Sequence, residues 1–105
     1  MGRKSDCLFG TAALEWLSSI APELKASSEG RYRNVLCNHL LPEFGKRPIS
    51  DITLSDAEQY RKKLLLTQPV LSSQTVAGIF SVFRRVMNYA CRKYGISGIE
   101  LHMVN

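Results

Sequence analysis

From Ser72 to Tyr94 the chain runs without one acidic residue, and inside that run the apolar side chains recur at helical intervals. Val76, Ile79, Phe80, Phe83, Val86, Met87 and Ala90 fall on one wide stripe, the pattern of an amphipathic helix with a broad buried face. The spacing predicts a helix from about Ser73 to Tyr94, closed by Gly95. A stripe this broad must be covered by other elements, so the rest of the chain has to supply them.

Three further helices are predicted, separated by punctuated loops. The first runs from about Leu8 to Ile20, with Phe9, Ala13, Leu17 and Ile20 inward, Leu14 and Trp16 beside them, and Pro22 as its stop. The second begins after Ser27-Ser28, either of which can cap it, with Glu29 placed favourably near its start. Its apolar stripe is Tyr32, Val35, Leu36, His39 and Leu40. Pro42 and Gly45 end it, leaving Leu41–Gly45 as one tight helical turn. The third starts near Thr53 or Ser55, with Leu54, Ala57, Tyr60, Leu64 and Leu65 inward, and Pro69 closes it. No segment alternates as a strand would. The expectation is an all-α chain, a compact four-helix bundle. At 105 residues and 45% apolar content it is one domain with one modest core.

The polar faces carry the functional information. On the fourth helix, steps of three and four give Gln74, Gly78, Ser81, Arg85, Asn88 and Arg92, bordered by Thr75 and Arg84. Small residues let a helix backbone approach a surface closely. Gln and Asn pair with base edges, and Ser, Thr and Arg contact phosphates or bases. The second helix shows a similar row, Ser27, Arg31, Asn34 and Asn38, with Lys25 just ahead. Side by side, the two rows would form one concave basic surface suited to double-stranded DNA. Lys46 and Arg47, on a loop, can reach the flanking backbone. The net charge of +5 favours polyanions only weakly by itself.

Other chemistries find no support. Cys7, Cys37 and Cys91 are far apart and show no Cys-x-x-Cys spacing; with His39 and His102 they do not make a metal site. Cys37 and Cys91 read as small buried or half-buried thiols, in keeping with a reducing cytosol. His39, beside an apolar stripe, reads as packed. Phosphate-loop and nucleophile-elbow motifs are absent. No cofactor, no metal and no catalytic residue is nominated, and no apolar run reaches membrane-spanning length.

The order of these elements resembles the core-binding, SAM-like N-terminal domain of phage-integrase-type tyrosine recombinases. The likeness rests on Ala13–Leu17, on Ser27-Ser28 with Tyr32 and Leu40–Gly45, on Pro48–Thr53, and on Ser72–Val76 with Val82–Ala90 and Tyr94–Ile96. It implies a module that grips one face of a duplex, while a separate C-terminal domain cleaves and rejoins strands through a tyrosyl-phosphate intermediate. The family's contacts come from the starts of its second and fourth helices, which match Lys25, Ser27, Ser28 and Arg31, then Ser73, Gln74, Thr75 and Gly78. No His-x-x-Arg with a placed tyrosine occurs, and Tyr32, Tyr60, Tyr89 and Tyr94 are not nominated as nucleophile. The exit Ile96–His102 lacks the Asn-Pro pair common in the family.

The expected organisation is therefore an arm at residues 1–7, either frayed or a cloning remnant, a core-binding body at 8–96, and an exit segment at 97–105 leading toward a catalytic domain. The resemblance implies a cytoplasmic, DNA-associated protein, monomeric as this domain and homo-oligomeric on DNA as the parent. An alternative reading is a helical adaptor whose basic face meets an acidic protein. A helix-turn-helix regulator fits less well, because Gln68–Ser72 is longer than the usual tight turn.

Overall fold

The computed structural model describes residues 7–66 and 72–94. Its centre is the long acid-free helix, α5 (Ser73–Tyr94), which starts where the sequence predicts. The Thr75 N–H donates to the Ser72 hydroxyl at 3.1 Å, satisfying one of the free donors of the first turn. All seven stripe residues are buried, and Val82 is buried with them.

Four other helices cover this stripe. Helix α1 (Phe9–Ile20) buries Phe9, Ala12, Ala13, Trp16 and Leu17. Leu14, expected beside that face, is 54% exposed. Helices α2 (Ala26–Val35) and α3 (Leu41–Phe44) follow, then α4 (Leu54–Leu66). Four of the five helices contribute to one aromatic nucleus. Phe44 of α3 stacks on Phe83 of α5 at 4.8 Å, Phe9 of α1 meets Phe83 edge-on at 5.5 Å, and Tyr60 of α4 meets Phe44 edge-on at 5.1 Å. Such pairs add about 0.5–1.5 kcal/mol each beyond their buried area. Among the described residues no charged side chain is buried, and every buried side-chain polar atom has a partner.

The start of α1 is fastened to the chain after α3. Phe9 N–H donates to Arg47 O at 2.9 Å, Gly10 N–H to Gly45 O at 2.9 Å, and Ile49 N–H to Cys7 O at 2.7 Å, with Leu8 and Pro48 forming an isolated bridge. Gly10 is required by this approach: a Cβ there would stand 2.9 Å from the Gly45 oxygen.

Three local expectations need correction. Ser27 and Ser28 do not cap α2. The helix begins at Ala26 with Lys25 as its cap residue and no side-chain cap bond. Both serines lie inside the first turn, because Glu29 N–H already bonds Lys25 O. Next, the second helix does not stop before Leu41. Helical rotation continues from α2 into α3 through a wide π turn at Leu36–Leu40, in which Leu41 N–H bonds Leu36 O. Pro42 accounts for the widening: it offers no N–H, and its ring needs room beside the carbonyl four residues back. Finally, Cys37 is exposed on this turn, while Leu36 and Leu40 keep the inward positions; Cys91 is half-buried as expected.

Helix α4 is started by a reciprocal cap. Asp56 N–H donates to the Thr53 hydroxyl at 3.1 Å, and Thr53 N–H donates to the Asp56 carboxylate at 3.0 Å. Of the arm expected at 1–7, Cys7 is buried and tied to Ile49; the rest of it, Pro69, Gly95 and the exit at 97–105 lie outside the described residues.

Candidate nucleic-acid interface

Helices α2 and α5 pack side by side. Between them runs a groove of about 570 Å³. From α2 it receives Arg31, Tyr32, Asn34 and Val35, from the π turn His39, and from α5 Gln74, Thr75, Gly78, Ile79, Ser81, Val82 and Arg85. Arg31 and Gln74, each drawn from a different predicted row, therefore face the same space. The floor is apolar: Ile79 and Val82 are buried, and Tyr32 and Val35 half-buried. The exposed side chains around it are amides, a hydroxyl and two guanidiniums.

The charges are sorted. Arg33 pairs with Glu29, Lys63 with Glu43 at 2.8 Å, and Lys93 with Glu15 at 3.2 Å. Arg47 pairs with Asp56 at 2.9 Å and Asp51 at 3.3 Å. None of these cations lines the groove. Arg31 and Arg85 do, no carboxylate lines it with them, and neither has an acidic partner among the described residues. The groove thus concentrates uncompensated positive charge beside hydrogen-bonding groups.

Other predicted contacts fall elsewhere. Lys25, Ser27 and Ser28 lie at the start of α2, outside the groove lining. Ser73 is exposed at the start of α5, and Arg84 is half-buried off the groove side of that helix. Lys46 is exposed on the turn after α3. Arg47 is held inside the protein's own ion pairs. The Thr53 N–H, and after it Arg47, keep the Asp56 carboxyl below the usual carboxylate range. Beyond Arg85 the α5 row continues with Asn88 and Arg92 along a shallower depression of about 320 Å³, bordered by Trp16 and Ile20 of α1.

Tyr32, Val35, His39, Ile79 and Val82 line the groove although the sequence pattern marked most of them only as core. Tyr32 is positioned by Trp16, whose ring lies 5.5 Å away. The π turn that carries His39 is tied to α4, where the Tyr60 hydroxyl donates to the His39 carbonyl at 2.8 Å. Burial holds the Tyr60 hydroxyl well above its usual range. At the far end of α5, Tyr94 and Lys93 both donate to Glu15 of α1, and Tyr94 foremost keeps that carboxyl below the usual range. No described helix is long and apolar enough to cross a membrane.

A small all-α domain with a short proline-bearing turn packed against its opening helix is the class of fold these elements define. The family model for the phage integrase N-terminal SAM-like domain matches residues 8–65, and the chain belongs to that family. The matched stretch carries α1 through α4 up to Leu65 and stops before α5. No curated protein and no solved structure matched the chain. Recombination and DNA integration are the processes of this family.

Proposed function

We propose that this chain is the DNA-gripping domain of a site-specific tyrosine recombinase, and that the α2–α5 groove is the surface that meets the duplex. The observation that carries this reading is the lining of the groove, which brings two guanidiniums and two amides together with no carboxylate. Every described acid that forms an ion pair does so away from the groove, while Arg31 and Arg85 face it unpaired beside Asn34, Gln74 and Ser81. Amides and guanidiniums at that density suit base edges and phosphates together. Lys25, Ser27, Ser28 and Ser73, at the starts of the same two helices, extend the contact to the flanking backbone, and Lys46 adds a more distant phosphate contact. Arg84 lies behind that surface, and Arg47 acts within the fold. The domain itself performs no chemistry. Strand cleavage and joining belong to a catalytic domain of the parent protein, which assembles as a homo-oligomer on DNA, whereas the domain alone binds as a monomer.

Fluorescence anisotropy with duplex DNA over a salt series tests this. Each phosphate contact contributes roughly −0.9 to the slope of log affinity against log salt. Arg31→Ala and Arg85→Ala should each weaken binding at low salt and flatten that slope by about 1 if the lost contact is to phosphate. Unchanged affinity in both variants would mean that the duplex sits elsewhere. Binding to an acidic polypeptide but not to DNA would replace the reading with that of an adaptor.

A further inference from the structure

The α5 row continues past the groove it shares with α2. Arg85 borders that groove and also the depression of about 320 Å³ that lies against α1. There Asn88 and Arg92 of α5 meet the last turn of α1, with Trp16 beneath them. Arg85, Asn88 and Arg92 are all exposed, and no carboxylate lines the depression with them. Glu15 of α1 is taken up by Lys93 and Tyr94 and borders a neighbouring depression, and Glu23 lies outside the lining. The helix dipole favours a cation in the last turn, which accounts for Lys93 and Arg92 alike. It does not account for Asn88. Asparagine is among the poorer residues for a helix interior, and among the described residues its amide makes no hydrogen bond. Asn88 and Arg92 stand one turn apart, and Arg85 stands two turns from Arg92, about 10 Å along the same face. Neither arginine has an acidic partner among the described residues.

Resting on the duplex reading, we infer that this α1–α5 depression is a phosphate-binding site, in which Asn88 and Arg92 hold the sugar–phosphate strand beside the major groove that receives the start of α5. From Gln74 to Arg92 the row rises about 27 Å. The major groove is about 12 Å wide. A straight helix with Gln74 over base edges therefore carries Arg92 out over a strand, where phosphate oxygens are the acceptors. An arginine meets a phosphate with two parallel N–H bonds, and a neighbouring amide N–H adds a third. A base fits less well, because the rings there are closed to stacking. Trp16 is 6% exposed, and the Lys93 ammonium lies over the Tyr89 ring at 5.6 Å.

The 105-residue chain is compared with Arg92→Ala, Arg92→Lys, Asn88→Ala and Lys62→Ala. Each is titrated over a salt series with an alternating A·T duplex and an alternating G·C duplex. Lys62 is exposed on α4 and lines neither depression, so its variant loses the same charge away from the site. Arg92→Ala should weaken binding to both duplexes alike and reduce the steepness of the log–log salt slope by about 1. Arg92→Lys keeps the charge and should keep the slope. Asn88→Ala should weaken both duplexes with little change of slope, because the amide is uncharged. Lys62→Ala should match the wild type. Alanine favours the helix at position 88, so Asn88→Ala decides the matter if circular dichroism shows that Arg92→Ala has lost structure. Wild-type affinity and slope in folded Arg92→Ala and in Asn88→Ala, beside weakened Arg85→Ala, would overturn the phosphate site and leave the duplex reading standing. Equal losses in Arg92→Ala and Lys62→Ala would reduce the effect to net charge, and a loss confined to one duplex would make the contact one to a base; either overturns the inference. Failure of the wild type to bind any duplex at low salt would remove the duplex reading and this site together.

Discussion

Replacing Tyr60 with Phe removes one oxygen and keeps the ring in place against Phe44 and Phe80, at 5.1 and 6.0 Å. The variant therefore reports on one hydrogen bond, that from the Tyr60 hydroxyl to the His39 carbonyl at 2.8 Å. No cavity forms. The net value of such a bond is about 0.5–1.5 kcal/mol, and a part-buried carbonyl that loses this donor adds some desolvation cost. A loss of about 1–2 kcal/mol is expected. In a domain of this size each kcal/mol corresponds to about 4–8 °C in Tm, so calorimetry should record a fall of at least about 4 °C. The urea m-value should not change, because the surface exposed on unfolding is the same.

The same variant carries a pH signature. Burial raises the Tyr60 pKa in the fold, so above the ordinary tyrosine value of about 10 the unfolded chain ionises while the folded chain holds its proton. The stability present below that value is lost as pH rises through the window between the two pKa values, at about 1.4 kcal/mol per pH unit for one proton. Tyr94, whose hydroxyl donates to Glu15, is shifted the same way and keeps its share in both proteins. The alkaline slope of Tyr60→Phe should be shallower than that of the wild type by one proton's worth. A Tm within about 1 °C of wild type, with an unchanged alkaline slope, would refute the claim that this bond fastens the π turn to α4.

Gly10→Ala should destabilise by about 1–3 kcal/mol, since its Cβ meets the backbone oxygen of Gly45 at 2.9 Å; a urea titration showing equal or greater stability would contradict that close approach. Asp56→Ala should cost about 1 kcal/mol at neutral pH through loss of the α4 cap. Arg47 retains Asp51 in that variant, so no isolated charge is created. The Asp56 pKa is lowered in the fold, so its contribution is present above the unfolded carboxylate value of about 3.9 and is lost as pH falls through the depressed folded value. The gap between wild type and Asp56→Ala in chemical denaturation should accordingly narrow below about pH 4.

The fold was largely legible because its signals were strong and periodic. The stripe from Val76 to Ala90 marked α5, and the start expected near Thr53 or Ser55 brackets the first residue of α4, Leu54. What stayed hidden depended on single bonds. A proline two residues beyond the last stripe position, Leu40, reads as a terminator; only the backbone shows that Pro42 is accommodated by one wide turn and that the helix continues. The cap of α2 was misplaced because serine favours both the cap and the first turn, and Lys25 carries no pattern that identifies it. For the candidate site, the two polar rows were visible as rows, and their convergence on one groove follows from α2 packing beside α5. The apolar floor was not visible, because Val35, Ile79 and Val82 satisfy a core pattern equally well. Nor was the withdrawal of Arg47, whose partners Asp51 and Asp56 are set by the loop geometry.

A net charge of +5 would be a weak argument for a polyanionic partner if the cations and anions were mixed. Within the groove they are not mixed: its lining holds two arginines and no carboxylate. Glu15, Glu43 and Asp56 each pair with a cation of another element, Asp51 pairs with Arg47 on the loop, and Glu29 pairs with Arg33 one turn along α2. Exposed pairs of this kind contribute little to stability individually. None of these acids lines the groove, so Arg31 and Arg85 keep their charge there, as Lys25, Lys46, Arg61, Lys62, Arg84 and Arg92 do elsewhere among the described residues. A groove with low-dielectric walls concentrates the field of such charges. On the duplex reading, two helices would thus gain a directional attraction for a phosphate backbone from a modest excess of basic residues, because no acid stands in the groove between them.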